Sequence, residues 1–390
     1  MEHHEVLIVG GGNAGISLAA KLLRDGAKDV ALVESESVHR YRPLLNYVGS
    51  GEATMTSLER PAAAVMPEGA TWIRDRVVSV DATGPSVRTR DGLHLGCTTL
   101  VLCPGLEEDW DATPGLADAY DAGWAGSTFL VESAPRVWPV LRDLTKGRVV
   151  FTVPPEPAPC GATALKPLLM ACDHWRRRGV LDDLDVHLVL PGRSPIGLPE
   201  ADRLLEQTFT SYGVQVLREA GVTGLDARRV TVSTPSGEQT LDDVTFAHVV
   251  PHYRAPRWIA ESDVAGATEA GLVDVDPLTL RHRRHPAIWS LGDVADLGIR
   301  PSGGALRKQV AVLAHNITAD DADLQHYDGY TVMPVTVALH KLMLVEIDRE
   351  GRPTPSVPFP DLVRPRRATW VADRYGLPVT YFKRILRGKV

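Results

Sequence analysis

Three short stretches of the chain hold residues whose types and spacing suit chemistry. Cys160 stands just before an apolar run that reads as a helix from about Ala162 to Arg178, with Lys166 within its first two turns. A helix N-terminus carries partial positive charge and favours a thiolate, so Cys160 is expected to be reactive, with Lys166 adding to the effect. A buried, inert thiol is the alternative. The second stretch is Gly10-Gly11-Gly12-Asn13-Ala14-Gly15. It fits the G-x-G-x-x-G dinucleotide fingerprint: Gly10 for a tight turn, Gly12 for close approach of a pyrophosphate, Gly15 for helix–sheet packing. Glu34 follows nineteen residues after Gly15, where an acid at a strand end accepts ribose hydroxyl hydrogens. The third is Leu291-Gly292-Asp293, an apolar strand ending in an acid. Asp293 either meets the ribityl hydroxyls of a flavin or caps the following helix, predicted from about Gly303 to Ala314.

The elements that must position these residues alternate. Glu5–Gly10 is a predicted strand, Ile16–Arg24 a helix and Asp29–Glu34 a strand, which makes a βαβ unit with a parallel sheet. Leu100–Gly105 is a further strand, stopped by Pro104-Gly105. A second series follows: strand Arg148–Val153, the helix after Cys160, strand Asp185–Leu190, helix Pro199–Tyr212 and strand Gly213–Leu217. Residues 221–250 read as a short meander to which Val244–Val250 returns, and Ala287–Gly292 is a buried strand. The loop after the second series' first strand, Pro154 to Gly161, has no G-x-G-x-x-G and is rich in proline, which lacks the N–H groups a pyrophosphate needs. The expected fold class is α/β, with two Rossmann-like domains of the FAD/NAD(P)-binding type, one inserted in the other: residues 1–112 plus 268–335, residues 113–267, and a C-terminal segment, 336–390. The proline-rich patches Pro154–Pro159 and Pro353–Pro360 read as loops.

Composition excludes several classes. At 390 residues, 44% hydrophobic and 23% charged, the chain is an ordinary globular protein with material for two cores. Its four cysteines exclude a disulfide scaffold and suit a reducing cytoplasm. The net charge of −7 argues against a nucleic-acid partner. No apolar run is long enough to span a bilayer, and the early first strand leaves no room for a signal peptide. No metal site is expected: His3 and His4 are read as a solvated terminus, and His282 and His285 as solvated loop side chains. Residues 364–390 are unlike the rest, because eight cations and the single anion Asp373 give this tail +7, leaving −14 elsewhere. Trp370, Tyr375, Leu377, Tyr381, Phe382, Ile385 and Leu386 interleave with the cations, which suits either a peripheral membrane surface or a helix packed on the body.

Taken together, these residues carry a family resemblance. From about residue 5 to the end the chain resembles the two-dinucleotide-fold flavoproteins, and among them sulfide:quinone oxidoreductase. The segments that carry it are the GGGNAGISLAAKL loop and helix, Tyr41-Arg42-Pro43, Arg148–Arg178 with Cys160 and Lys166 in place, His282–Pro286, Leu291-Gly292-Asp293, Tyr327–Thr331 and Leu386-Arg387-Gly388. The resemblance implies FAD as cofactor, held through Gly10, Gly12, Asn13, Ala14, Gly15, Glu34, Arg42, Pro43, Gly105 and Asp293. It implies catalysis with Cys160 and Lys166, a small-molecule substrate, a quinone-like electron acceptor and a membrane surface met by residues 364–390. In the family, one cysteine accepts sulfane sulfur, a second attacks or releases it, and the electrons pass through FAD to quinone. Cys160 matches the first cysteine. The second is absent, since the family's Gly-Tyr-Thr-Ser-Cys-Pro is here Gly329-Tyr330-Thr331-Val332-Met333-Pro334. A thioether forms neither disulfide nor persulfide. The family's lysine after the Gly-Asp strand is also replaced, by Pro301, with Arg300 beside it. Of the other cysteines, Cys97 and Cys172 read as structural and Cys103 stays open.

Three functions follow: a one-cysteine sulfur oxidoreductase, an FAD enzyme for an organic substrate, and a flavin redox sensor without turnover. A homo-oligomer stays open.

Overall fold

The first residues enter the core at once. In the computed structural model, which describes residues 2–357 and 361–389, strand β1 (Glu2–Val9) ends in four buried apolar residues, Val6 to Val9. Full burial of an aliphatic side chain such as Leu7 or Ile8 contributes about 1.5–3 kcal/mol. Helix α1 (Asn13–Arg24) follows, then β2 (Val30–Val33), parallel to β1. The helix starts three residues before the predicted Ile16, because Asn13, Ala14 and Gly15 already form its first turn. Four more strands complete the run: β3 (Thr71–Ile73), β4 (Val77–Asp81), β5 (Ser86–Thr89) and β6 (His94–Leu102). The sheet order is β3-β2-β1-β6-β5-β4.

The second sheet is built from the middle of the chain. Its strands are β7 (Ala125–Gly126), β8 (Gly147–Thr152), β9 (Leu184–Leu190), β10 (Gln215–Arg218) and β11 (Val244–His248), in the order β7-β11-β8-β9-β10, all parallel. Helix α2 (Leu165–Arg178) connects β8 to β9, and α3 (Pro199–Ser211) connects β9 to β10. The return from the meander differs from the sequence expectation. Gly221–Asp226, Arg229–Thr234 and Gly237–Leu241 pair only with one another, while β11 inserts beside β8. Four of its five residues are buried, Val244, Phe246 and Ala247 among them, which fits a central parallel strand covered on both faces.

The chain then returns to the first sheet. Strand β12 (Ile288–Ser290) pairs with the C-terminal half of β6, which carries β5 on its N-terminal half. Helix α4 (Leu306–Asn316) packs against α1. A hairpin follows, β13 (Thr331–Ala338) and β14 (Lys341–Ile347), so a division at 335/336 falls inside a strand. Met333, Val335, Met343 and Val345 join the core of the second sheet, against α2. The tail forms α5 (Arg367–Val371), a π-helical turn at Ala372–Gly376 and α6 (Leu377–Lys383). Of the patch Pro353–Pro360, residues 358–360 lie outside the described residues. Among the described residues, no helix is long and apolar enough to cross a membrane.

Two expectations about histidines are corrected. His4 is buried and its Nδ1 lies 2.9 Å from Asp29, because β1 begins at the second residue and leaves no free terminus there. His282 is buried too, with Nδ1 accepting the backbone N–H groups of Arg284 and His285, so it holds a turn rather than facing water.

Candidate functional site

The glycine loop is shaped by three different constraints. Gly10 has φ +109°, and a side chain there would meet the Cys103 carbonyl oxygen at 2.4 Å. A Cβ on Gly15 would lie 1.9 Å from the Gly10 carbonyl oxygen, so helix and loop touch through backbone alone. Around Gly12 nothing comes within 4 Å, which leaves its face of the loop open. Asn13 donates to the Gly303 carbonyl at 3.2 Å and accepts from Ser17, tying the loop to the approach of α4. Ala14 lies under Gly292, where an added Cβ would sit 3.5 Å from the alanine's. The β1, α1 and β12 ends thus converge at one mouth. Glu34 stands beside it, but its carboxylate already accepts the N–H groups of Gly11 and Glu36, each at 2.7 Å. The ribose role expected of Glu34 therefore falls to the lone pairs those bonds leave.

The same mouth has an acidic floor. Asp293 makes no side-chain hydrogen bond among the described residues, and burial lifts its carboxyl to about 6 against the opposing pull of Arg42. Arg42 and Pro43 form a short 3₁₀ turn, and the Arg42 guanidinium donates to the Phe129 carbonyl at 3.1 Å. Gly105 follows β6 with φ +78°, a left-handed turn free of neighbours. An open glycine loop, a helix N-terminus and a half-buried carboxyl without a partner fit a dinucleotide whose pyrophosphate meets the loop and whose polyol meets the acid.

Cys160 sits where the two sheets' loops meet. Its N–H donates to the Pro301 carbonyl at 3.1 Å, and its Sγ lies 3.7 Å from the Val332 carbonyl oxygen. It adopts a left-handed backbone, φ +54°, which costs an L-residue roughly 1–2 kcal/mol and clusters at functional sites. The expected thiolate is corrected. Burial pushes the Cys160 thiol up to about 12, with Lys166 opposing and Asp293 and Glu156 reinforcing. The helix end is also weaker than the sequence implied, since a 3₁₀ turn, Gly161–Ala164, precedes α2. Lys166 is turned elsewhere: its Nζ lies 2.8 Å from Asp373 Oδ2 of the tail.

Sequence reasoning missed several residues here. Glu156, four residues before Cys160, accepts the Ala158 N–H while its side chain stays exposed at the mouth of the cysteine loop. Its signal was an acid inside a proline loop just before the cysteine. Arg300 is held 3.9 Å from Glu156 and donates to the Ile196 carbonyl at 2.8 Å, so it does not stand in freely for the family lysine. Met333 is buried, with its Sδ 3.8 Å from Arg300. All four cysteines are free thiols; burial raises Cys97 to about 12 and lifts Cys103 and Cys172 further.

No protein-family model matches the chain. A curated relative, "Sulfide:quinone oxidoreductase, mitochondrial" of Mus musculus, is 27% identical over 395 residues, 99% of this chain and 87% of the relative. Two solved structures cover all of the chain. One is the sulfide:quinone oxidoreductase of the hyperthermophilic bacterium Aquifex aeolicus, at TM-score 0.81, 18% identity and 92% of that chain. The other is a chain in the cryo-EM structure of the Tetrahymena thermophila mitochondrial ATP synthase, at TM-score 0.83, 17% identity and 97% of that chain. The resemblance read from the motifs therefore holds over the full length, and the fold is that of the dinucleotide-binding oxidoreductases.

Proposed function

We propose that this sulfide:quinone oxidoreductase-like enzyme is an FAD-dependent oxidoreductase that takes electrons from a sulfur nucleophile through a single cysteine. The observation that carries the reading is the place of Cys160, on a strained turn between the second sheet and the segments 300–302 and 331–333. Gly10, Gly12, Asn13, Ala14, Gly15 and Glu34 hold the nucleotide half of FAD; Arg42, Pro43, Gly105 and Asp293 hold the flavin half. Cys160 Sγ takes the sulfane sulfur: hydrosulfide and the thiol yield a persulfide, one proton and an electron pair. The flavin, when bound, supplies a two-electron acceptor for that pair, and a quinone-like molecule takes it onward. With the thioether of Met333 in the core and no second thiol supplied there, a soluble thiol or sulfite removes the sulfur from Cys160.

An FAD enzyme for an organic substrate is the second reading, favoured by Met333 filling the place of the family's second cysteine. An anaerobic sulfide titration, followed by flavin absorbance, separates the two. We expect sulfide to bleach the wild-type flavin or raise a long-wavelength band, and Cys160→Ala to lose at least 100-fold in the rate of that change, as for removal of a covalent nucleophile. A wild-type flavin that stays oxidised in sulfide sinks the sulfur reading.

The acceptor side is the C-terminal segment. Val371, Tyr375, Leu377 and Val379 are exposed, and the same segment exposes Arg364, Arg367, Lys383, Arg384 and Lys389. This row suits a peripheral lipid surface, from which a quinone-like acceptor is reached.

A further inference from the structure

Both backbone polar groups of Gly11 are engaged. Its N–H donates to Glu34 Oε2 at 2.7 Å, and its carbonyl oxygen lies 3.2 Å from His39 Nδ1. His39 stands on the short strand Val38–Arg40, which pairs with Glu59–Pro61, and is buried. Its other ring nitrogen, Nε2, lies 2.6 Å from the hydroxyl of Tyr381, 342 residues further along the chain in α6. A carbonyl oxygen can only accept. Nδ1 therefore carries the ring proton, Nε2 carries the lone pair, and the Tyr381 hydroxyl donates to it. Burial lowers His39 to about 4, which keeps this neutral form at neutral pH. Tyr381 is buried too, with its ring 4.6 Å from that of Tyr41. Beyond α6 the backbone at Gly388 lies against Lys21 of α1, so the segment is seated beside the loop's own helix.

We propose that His39 and Tyr381 are positioning residues of the dinucleotide site: the relay from Tyr381 through His39 to the Gly11 carbonyl sets the peptide that presents the Gly12 N–H to the pyrophosphate. The proposal rests on the reading of FAD as the cofactor and involves neither Cys160 nor sulfide. A peptide group is planar and trans, so its C=O and N–H point in opposite directions. Holding the Gly11 carbonyl toward His39 therefore turns the Gly12 N–H away from it. That N–H stands at the start of α1 and has no hydrogen-bond partner among the described residues. Three successive glycines leave such a peptide free to rotate, so its orientation has to come from outside the loop. Glu34 fixes the peptide before Gly11, and the relay fixes the one after it. Helix α6 thus exposes Leu377 and Val379 on its outside while its inner residue Tyr381 reaches the cofactor loop.

The test is the rate of flavin release from the full-length holoprotein after dilution, followed as recovery of flavin fluorescence, with the unfolding temperature of each protein measured by circular dichroism. The variants are Tyr381→Phe, His39→Phe, His39→Asn and the two doubles that add Tyr381→Phe to each histidine change. Tyr381→Phe removes one hydroxyl and should speed release roughly fivefold; His39→Phe removes the donor to Gly11 and should speed it roughly tenfold or more. Asparagine places an amide N–H where Nδ1 stood, so His39→Asn should release flavin within about threefold of wild type. In neither histidine background should Tyr381→Phe add anything. A role in packing alone would lower the unfolding temperature, with release following it, and would not be rescued by asparagine. Wild-type release from Tyr381→Phe, additive effects in the doubles, His39→Asn as fast as His39→Phe, or release that rises only in step with a falling unfolding temperature would each overturn the proposal. Should His39→Phe fail to fold, Tyr381→Phe in the wild-type and His39→Asn backgrounds decides the matter. A wild type that holds no flavin sinks the FAD reading and the proposal with it, whereas a held flavin indifferent to these substitutions sinks the relay alone.

Discussion

Asp293 opposes ionisation of the Cys160 thiol, and burial lifts its own carboxyl to about 6. Such an acid binds more protons folded than unfolded across the interval between its two values. Stability then falls as pH rises, because (unlike a salt-bridged acid) the folded state resists losing the proton. For Asp293 the interval runs from the ordinary carboxyl value, near 3.8, to about 6. We expect urea melts of the wild type to show a loss of stability between about pH 4 and pH 6, and Asp293→Asn to lessen it; an unchanged loss would dismiss Asp293 as its source. The sequence made Cys160 and Lys166 legible by type and spacing. It did not disclose that Lys166 would turn toward Asp373, because that contact joins positions 207 apart in the chain. The clue was electrostatic: a single acid kept among eight cations.

At the scale of elements, the loop from β1 into α1 separates what the fold needs from what a ligand needs. Gly15→Ala drives a Cβ into the Gly10 carbonyl and should destabilise by several kcal/mol or prevent folding. Gly12 has φ −75° and open space around it, so Gly12→Ala should melt within about 1 kcal/mol of wild type yet retain less flavin on purification. Thermal melts and the ratio of flavin to protein absorbance decide this; a Gly12→Ala protein that keeps its full flavin complement would show that the open face is unused. Most strands were legible because parallel strands read as continuous apolar runs, as Val6–Val9 and Val30–Val33 do. Val244–His248 was read as part of the meander, because a run of apolar residues identifies a buried strand without naming its neighbour.

At the scale of the whole molecule, the C-terminal segment has two faces. Trp370, Tyr381, Ile385 and Leu386 are buried against the body, and the Tyr381 hydroxyl meets His39 Nε2 at 2.6 Å, whose Nδ1 lies 3.2 Å from the Gly11 carbonyl. Composition left packing and membrane docking as alternatives; the geometry packs one side of the segment on the body and leaves Val371, Tyr375, Leu377 and Val379 exposed on the rest. Leu377→Glu/Val379→Glu should lower affinity for anionic phospholipid vesicles at least tenfold in a flotation assay, with the melting temperature unchanged. Equal binding by both proteins would remove the tail from the membrane reading. The inner face has a temporal consequence. The backbone at Gly388 lies against Ala20 and Lys21 of α1, and β12 closes the edge of β6 only after the whole second sheet has been made. At roughly 5–20 residues per second on the ribosome, the glycine loop emerges well before the segments that complete its surroundings. Until residues 385–388 are made the nascent chain carries a glycine loop with one wall missing, and a chain stopped before them leaves an open apolar edge.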